Sequence, residues 1–404
     1  MRLKTGGLVD RETPIPFRFD GQSYQGFAGD TLASALLAND VRLVARSFKY
    51  HRPRGIFTTG SAEPNALVTI GEGAQSDPNV RATMQEIYPG LVARSQNNWP
   101  SLRRDALAVN DLMSPFLSAG FYYKTFMWPQ PFWQKLYEPV IRRAAGLGAL
   151  SGQPNTDLYE KAFAFCDLLI IGGGPTGLMA ALTAARAGAD VILADEDSLM
   201  GGRLNGETHL VGDLPGAEWA ASVVADLAAM PNVRLMSNTT ITGAYDQGTY
   251  GALERLPCSL GTRPADLPVE CFWRIVAKRV VLAAGALERG IAFAANDRPG
   301  IMTAGAVRTY VNRWGVAPGQ NVVVFGNNDD AHRTAHDLIA AGVEVTALVD
   351  SRPDAQAAGD FPVYTGATIC DSSGRHGLRS VQVQHSNGTT NRLETDCLAV
   401  SGGW

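Results

Sequence analysis

One stretch, Asp167 to Glu196, restricts the fold of this chain more than any other: D-L-L-I-I-G-G-G-P-T-G-L-M-A-A-L-T-A-A-R-A-G-A-D-V-I-L-A-D-E. The apolar run Leu168 to Ile171 has the length and composition of a buried parallel strand. Gly172, Gly174 and Gly177 follow in G-x-G-x-x-G spacing, with Pro175 and Thr176 between the last two. An Ala/Leu-rich helix then runs to about Arg186, Gly188 stops it, and a second apolar strand, Val191 to Ala194, ends at Asp195 and Glu196. Each part has a physical task in holding a dinucleotide. The first glycine permits the tight strand-to-helix turn and the second lets backbone approach a pyrophosphate. The third allows close packing of helix on strand, and the free N–H groups of the helix N-terminus hold the phosphates. Asp195, eighteen residues after Gly177, stands where an acid accepts the adenosine ribose hydroxyls. Leu168 to Ala185 is uncharged and about as long as a membrane span, yet three glycines and a proline sit at its turn. A nucleotide loop explains them and a span does not.

The chain has 404 residues, enough for a large core and two or three domains. A net charge of −4 supports neither nucleic-acid binding nor an anionic membrane surface. The five cysteines, Cys166, Cys258, Cys271, Cys370 and Cys397, are odd in number and never in C-x-x-C spacing. That pattern argues against a disulfide framework and a thiolate metal site. The first seventeen residues contain no apolar core long enough for a signal peptide, so a cytoplasmic location is expected.

Around the glycine loop, three domains are expected: residues 1–100, an aromatic connecting segment 101–160, and 161–404. In the first, a hairpin turning at Asp20-Gly21 precedes a helix from Asp30 to Asn39 with Asp30 as N-cap. Strands are expected over Val41 to Phe48 and Ala66 to Ile70, with the basic loop Lys49 to Gly55 between them. This is a β-grasp order. The loop Phe57 to Ala66 lies where ferredoxin-like domains carry C-x4-C-x2-C, but those positions read Thr58, Glu63 and Ala66, so a cluster-free domain is predicted. From Ser101 to Gly148 the chain is rich in aromatics: Phe116, Phe121, Tyr122, Tyr123, Phe126, Trp128, Phe132, Trp133 and Tyr137. Such a segment either wraps its own core or is covered by a partner.

In the third domain, Gly201-Gly202-Arg203 can bring backbone and a cation to the pyrophosphate. Further expectations are a helix Glu218 to Met230, strands Val233 to Met236 and Thr239 to Tyr245, and a strand pair, Phe272 to Lys278 with Arg279 to Ala284. The last strand ends in Ala283-Ala284-Gly285, small enough to pass beside a nucleotide. A second βαβ unit, an insert over about 318–395, begins with the strand Gln320 to Phe325 and repeats the first with a degraded glycine code. Asp329 and Asp330 stand where its phosphates would sit, which favours a structural repeat over a second nucleotide site. Asn387-Gly388 marks a hairpin between Leu378–His385 and Arg392–Val400. The last strand ends at Ser401-Gly402-Gly403 with Trp404 at once behind it, so a truncated C-terminus is expected.

Several constellations carry no chemistry. His332 and His336 lie four apart, but Arg333 stands where a zinc protease needs Glu. There is no G-x-S-x-G elbow, no P-loop and no residue marked as a general base or nucleophile. No catalytic and no metal-ligating residue is assigned. Redox chemistry here would belong to a cofactor.

Six stretches resemble the α subunits of heterotetrameric sarcosine oxidases: Phe48 to Val68, Lys124 to Pro129, Tyr137 to Gly146, Gly172 to Leu178, Asn296 to Met302 and Asn327 to Ala331. The resemblance covers essentially the whole chain. Subunits of amine and opine oxidases and of hydrogen cyanide synthase share the fold but usually keep cysteines in the N-terminal loop. The resemblance implies an α/β chain of the FAD/NAD(P)-binding two-dinucleotide-domain class, with an N-terminal 2Fe-2S ferredoxin-like, cluster-free β-grasp domain. It implies a complex with β, γ and δ subunits that oxidises sarcosine to glycine with O2, giving hydrogen peroxide and methylenetetrahydrofolate. FAD held by the β subunit, with FMN at the α–β boundary, would carry the electrons. By motif match, NAD+ would meet Gly172, Gly174, Pro175, Thr176 and Gly177 at the pyrophosphate and Asp195 and Glu196 at the ribose. Gly202, Arg203, Ile241, Ala284 and Gly285 would lie nearby. Glycine spacing alone leaves FAD open at the same site. So does the alternative of an FAD-dependent NAD(P)H reductase or an opine/amine dehydrogenase subunit. The family α subunit continues into a folate-binding domain that this sequence lacks, so the chain alone is expected to be inactive.

Overall fold

The computed structural model describes residues 1–112, 114–115, 120, 128–144, 146–256, 267–356 and 359–404. The N-terminal sheet has the strand order Gln22–Ala28, Asp10–Phe19, Val92–Ser95, Leu67–Ile70, Asp77–Arg81. Its hairpin turns at Asp20-Gly21, both at positive φ, as a two-residue hairpin loop requires. Strand Asp10–Phe19 alternates, and its buried Ile15, Phe17 and Phe19 join the helix Leu32–Ala38 in one core. That strand pairs parallel with Val92–Ser95, completing the expected β-grasp. Two details differ. Thr31 caps the helix, its hydroxyl accepting from the Ser34 N–H at 3.2 Å. Asp30 is fully buried and serves the core, accepting from the Ser34 hydroxyl, the Phe27 N–H and Arg2. The strand expected over Val41 to Phe48 shrinks to Ala45–Arg46, paired with Pro53–Arg54, where Pro53 has no N–H to extend the ladder.

Residues 159–282 build a six-stranded sheet ordered Val233–Met236, Val191–Ala194, Tyr159–Ile171, Glu270–Leu282, Thr249–Arg255, Thr239–Tyr245. The first four strands run parallel, and the last two close the sheet as antiparallel neighbours. Helices Pro175–Arg186 and Gly216–Ala228 bury Leu178, Ala181, Leu182, Ala220, Val223 and Leu227 beside Ile170 and Leu193. The pair of strands expected after Phe272 is one strand, Glu270–Leu282, because nothing at Lys278-Arg279 turns the chain. It runs beside Tyr159–Ile171 from Glu270↔Tyr159 to Leu282↔Ile171.

The remaining chain repeats this plan. A parallel sheet runs Ile301–Thr303, Cys397–Ser401, Asn321–Gly326, Glu344–Asp350, Val363–Thr365, with helices Ala304–Trp314 and Asp329–Ala340. An antiparallel ribbon, Thr368–Ser373, Ser380–Gln384 and Thr390–Glu394, precedes the return strand Cys397–Ser401. The hairpin at Asn387-Gly388 is present, but its second arm stops at Glu394 and Cys397–Ser401 joins the other sheet. Helix Ala304–Trp314 is the keystone between units. Val307, Tyr310, Val311 and Trp314 belong to the same core as Phe17 and Leu36, and the Trp314 indole donates to the Gly29 carbonyl at 3.0 Å.

Of the aromatic segment, Phe116, Phe121, Tyr122, Tyr123 and Phe126 lie outside the described residues. Trp128, Phe132, Leu136 and Val140 are exposed, as are Phe163 and Phe165 on the sheet. Among the described residues, no helix is long and apolar enough to cross a membrane.

Candidate functional site

The glycine loop has the tight form that its spacing predicts. Gly172 sits at φ +105°, and a Cβ there would lie 2.5 Å from the Ala283 carbonyl oxygen. At Gly177 a Cβ would lie 1.8 Å from the Gly172 carbonyl oxygen, so helix and strand meet without room for a methyl. Gly174 has open space where its Cβ would be, the face a ligand must approach. It also caps helix Pro175–Arg186 with no side-chain hydrogen bond, and Pro175 and Thr176 are exposed. The result is an uncapped helix N-terminus whose free N–H groups and dipole favour an anion.

Neighbouring elements close round this turn. Gly202, at φ +54°, brings its Cβ direction to 3.0 Å from the Gly174 Cα, and the Gly201 N–H donates to the Gly173 carbonyl at 2.9 Å. Ala283 donates its N–H to the Ile171 carbonyl at 2.8 Å, which sets Ala284 and Gly285 at the exposed lip of the same turn. Ile241 packs against the core under Leu169 and Ala194, while its neighbour Thr239 donates its N–H to the Asp195 carbonyl at 2.8 Å.

The two acids have different partners. Asp195 accepts from the Gly173 N–H and, at 2.8 Å, from the Asp197 N–H. Burial raises its pKa, the largest influence, and those backbone bonds oppose it. A carboxylate has about four acceptor sites, so two remain. Glu196 accepts from the Ser61 hydroxyl at 2.5 Å, a contact across 135 positions of sequence. Beneath them Arg313 grips Asp197 with both terminal guanidinium nitrogens. Ser61 and the Asp197–Arg313 pair were invisible to sequence reasoning, since nothing local marks a contact made between units.

Arg203 is engaged by neighbouring side chains. It pairs with Glu207 at 2.7 Å and Asp330 at 3.3 Å, and its guanidinium stacks over the Trp404 ring at 3.7 Å. It therefore joins the two units. At the second βαβ turn, Asn328 caps helix Asp329–Ala340 by accepting from the Asp330 and Ala331 N–H groups. Asp330 binds Arg308 and the Trp404 indole, and Asp350, at the end of the strand where a ribose acid would stand, binds His332 at 2.7 Å and Arg352 at 2.8 Å. Protein groups thus fill the second turn, which fits the structural repeat. Although burial opposes charge at Asp350, hydrogen bonds from Arg352 and His332 hold its carboxyl below the usual range. A depressed folded-state pKa gives stability above the unfolded value that is lost as pH falls through the folded one. The thermal midpoint is accordingly expected to fall between about pH 5 and pH 3, and Asp350→Asn to flatten that dependence. Differential scanning calorimetry across that range checks it; equal slopes for both proteins would refute the assignment.

In the N-terminal loop, Glu63 is 2% exposed. Its Oε2 accepts from the N–H groups of Phe57 (2.9 Å) and Thr58 (2.7 Å) and from the Thr58 hydroxyl (3.2 Å). Its Oε1 accepts from Asn65 and Ala66 at 2.8 and 3.1 Å. The cysteines among the described residues are free thiols; burial pushes Cys166 up to about 11 and Cys397 up to about 12, which leaves both inert. No group of His, Cys, Asp and Glu among the described residues is arranged to hold a metal ion.

Comparison with known proteins agrees with this architecture. Residues 12–98 match the 2Fe-2S iron-sulfur cluster binding domain family, and residues 167–229 match the FAD dependent oxidoreductase family. The fold also resembles the L-proline dehydrogenase of P. horikoshii, with a TM-score of 0.64 at 20% identity over 100% of this chain and 62% of that one. The chain is therefore an α/β protein of the FAD/NAD(P)-binding fold with an N-terminal ferredoxin-like domain. The alpha subunit of sarcosine oxidase from Corynebacterium sp. (strain U-96) is 34% identical over 99% of the chain, and that from Rhizobium meliloti (strain 1021) is 55% identical over 100%. The chain spans 38% and 41% of those two proteins. Identity at that level in alignments that span the ferredoxin-like sheet and both βαβ units makes the chain a homologue of the sarcosine oxidase alpha subunits.

Proposed function

We propose that this chain is the dinucleotide-carrying portion of a sarcosine oxidase α subunit, with NAD+ at the first βαβ turn. The observation that carries the site is the contrast between the two turns. The uncapped helix start at Gly174 is open, whereas Asn328, Asp330 and Arg308 fill the other. Backbone N–H groups of Gly174, Thr176 and Gly177 would take the pyrophosphate, with Pro175 against it and Gly202 behind it. Asp195 and Glu196 would accept the adenosine ribose hydroxyls, and Ile241, Ala284 and Gly285 would border the cofactor. Arg203 would steady the wall between units. The nucleotide here would be held rather than turned over, as the resemblance to the family implies.

In the whole complex, sarcosine would be oxidised to glycine with O2 as acceptor, giving hydrogen peroxide and methylenetetrahydrofolate. FMN would sit at the boundary with the β subunit, while the γ and δ subunits would complete the assembly. The domain boundaries proposed are 1–100, 101–160 and 161–404. Mass spectrometry of the nucleotide released on denaturation tests the cofactor, with NAD+ the expected result. FAD is the second reading, supported by the family match over residues 167–229. A yellow protein that releases FAD and bleaches with NADH would overturn the first reading in favour of an NAD(P)H reductase or an opine/amine dehydrogenase subunit.

A further inference from the structure

The N-terminal domain matches a cluster-binding family over residues 12–98, yet its residues do not fit a cluster. The three loop positions for thiolates are Thr58, Glu63 and Ala66, and Cys166 is the first cysteine of the chain. Iron–sulfur clusters of this class need four thiolates, and none is at hand. Instead, the Glu63 carboxylate sits at the centre of the loop, where it gathers four backbone N–H groups and one hydroxyl. Burial raises its pKa and the backbone bonds lower it. All its partners are donors, so the ionised form is the one this loop is built to hold.

The loop so closed is fastened to the dinucleotide-binding units. The Tyr310 hydroxyl donates to the Thr58 carbonyl at 3.0 Å, and the Thr303 N–H donates to the Phe57 carbonyl at 3.0 Å. At the tip, the Gly60 carbonyl accepts from the Thr83 hydroxyl at 2.8 Å and from the Glu63 N–H at 3.2 Å. Between them lie Ser61 and Ala62, and the Ser61 hydroxyl holds Glu196 Oε1. One Glu196 oxygen is thereby committed and the other stays free beside Asp195.

We propose that this iron-free loop has become a wall of the dinucleotide site. Ser61 is its positioning residue, holding Glu196 towards the adenosine ribose so that a free 2′-hydroxyl is accepted and a 2′-phosphate refused. The chemistry is direct: two neighbouring carboxylates accept hydrogen bonds from hydroxyls and repel a dianion. Without the serine, Glu196 regains its rotamers and must be ordered when the nucleotide binds.

The inference rests on the site proposed above, and its test separates the two. Nucleotide-depleted full chain is titrated calorimetrically with NAD+ and with NADP+, for the wild type, Ser61→Ala and Ser61→Thr. A charge-assisted hydrogen bond of this kind predicts roughly a tenfold loss of NAD+ affinity in Ser61→Ala. The preference for NAD+ over NADP+ should narrow as well, and Ser61→Thr, which keeps the hydroxyl, should restore both. The melting temperature without nucleotide should be the same in all three. Wild-type binding with an unchanged Ser61→Ala affinity and preference overturns the role of Ser61 and leaves the site standing. A wild type that takes up no dinucleotide overturns the site, and this inference with it.

Discussion

Replacing Gly177 with alanine is expected to empty the dinucleotide site and to destabilise the fold around it. The added methyl would stand 1.8 Å from the Gly172 carbonyl oxygen, a backbone atom that cannot rotate away. Relief requires helix Pro175–Arg186 to move off strand Tyr159–Ile171, and Leu178 and Ala181 are fully buried in that interface. Overpacking of this kind costs about 1–3 kcal/mol, and more where the obstacle is backbone. The same movement withdraws the helix N–H groups from the pyrophosphate. Bound nucleotide per chain, measured after desalting, should fall to background while circular dichroism keeps its helical signal. Gly174→Ala gives the contrast. Its Cβ meets nothing within 4 Å, so stability should hold and only affinity should drop. Equal nucleotide content in Gly177→Ala and wild type would remove the turn from the binding site.

The second large effect is expected at Glu63. Truncation to alanine leaves four backbone N–H groups and the Thr58 hydroxyl without their acceptor in a site where the side chain is 2% exposed. An unsatisfied buried donor costs about 1–3 kcal/mol, and the losses are not additive because water can enter the space. A net loss of about 4 kcal/mol is expected, at the upper end for single substitutions. Glu63→Gln should cost less, since it keeps one acceptor oxygen and sets an amide against donors. Urea denaturation measures both, and iron chelation should move neither midpoint. A fall of under about 1 kcal/mol for Glu63→Ala would show that the carboxylate does not organise the loop.

Much of the fold could be read from local pattern. The strand–glycine–helix–strand unit at Asp167 to Glu196 and the Thr239–Tyr245 strand follow from periodicity and turn chemistry, which act over a few residues. The degraded second repeat was legible for the same reason: Asp329 and Asp330 stand where phosphates would need free N–H groups. Where sequence reading went astray, longer contacts prevailed. Thr31 took the cap because Asp30 was drawn into the core by Ser34 and Arg2. The supposed pair after Phe272 is one strand because its partner, Tyr159–Ile171, runs straight beside it. Arg203 makes a contact of the same long range, with Asp330 127 positions away.

By itself, then, the sequence determined the chemistry that the chain can offer: a glycine turn, two acids behind it, and a ferredoxin-like loop without thiolates. Glycine conformations and missing ligands are properties of single residues and their near neighbours, and they survive without a fold. Tertiary structure decided how these parts are joined. Only packing across helix Ala304–Trp314 brings the Glu63 loop to the dinucleotide unit and sets Ser61 against Glu196. A hydrogen bond spanning 135 residues leaves no trace in local pattern, because both partners are ordinary surface residue types until two domains bring them together.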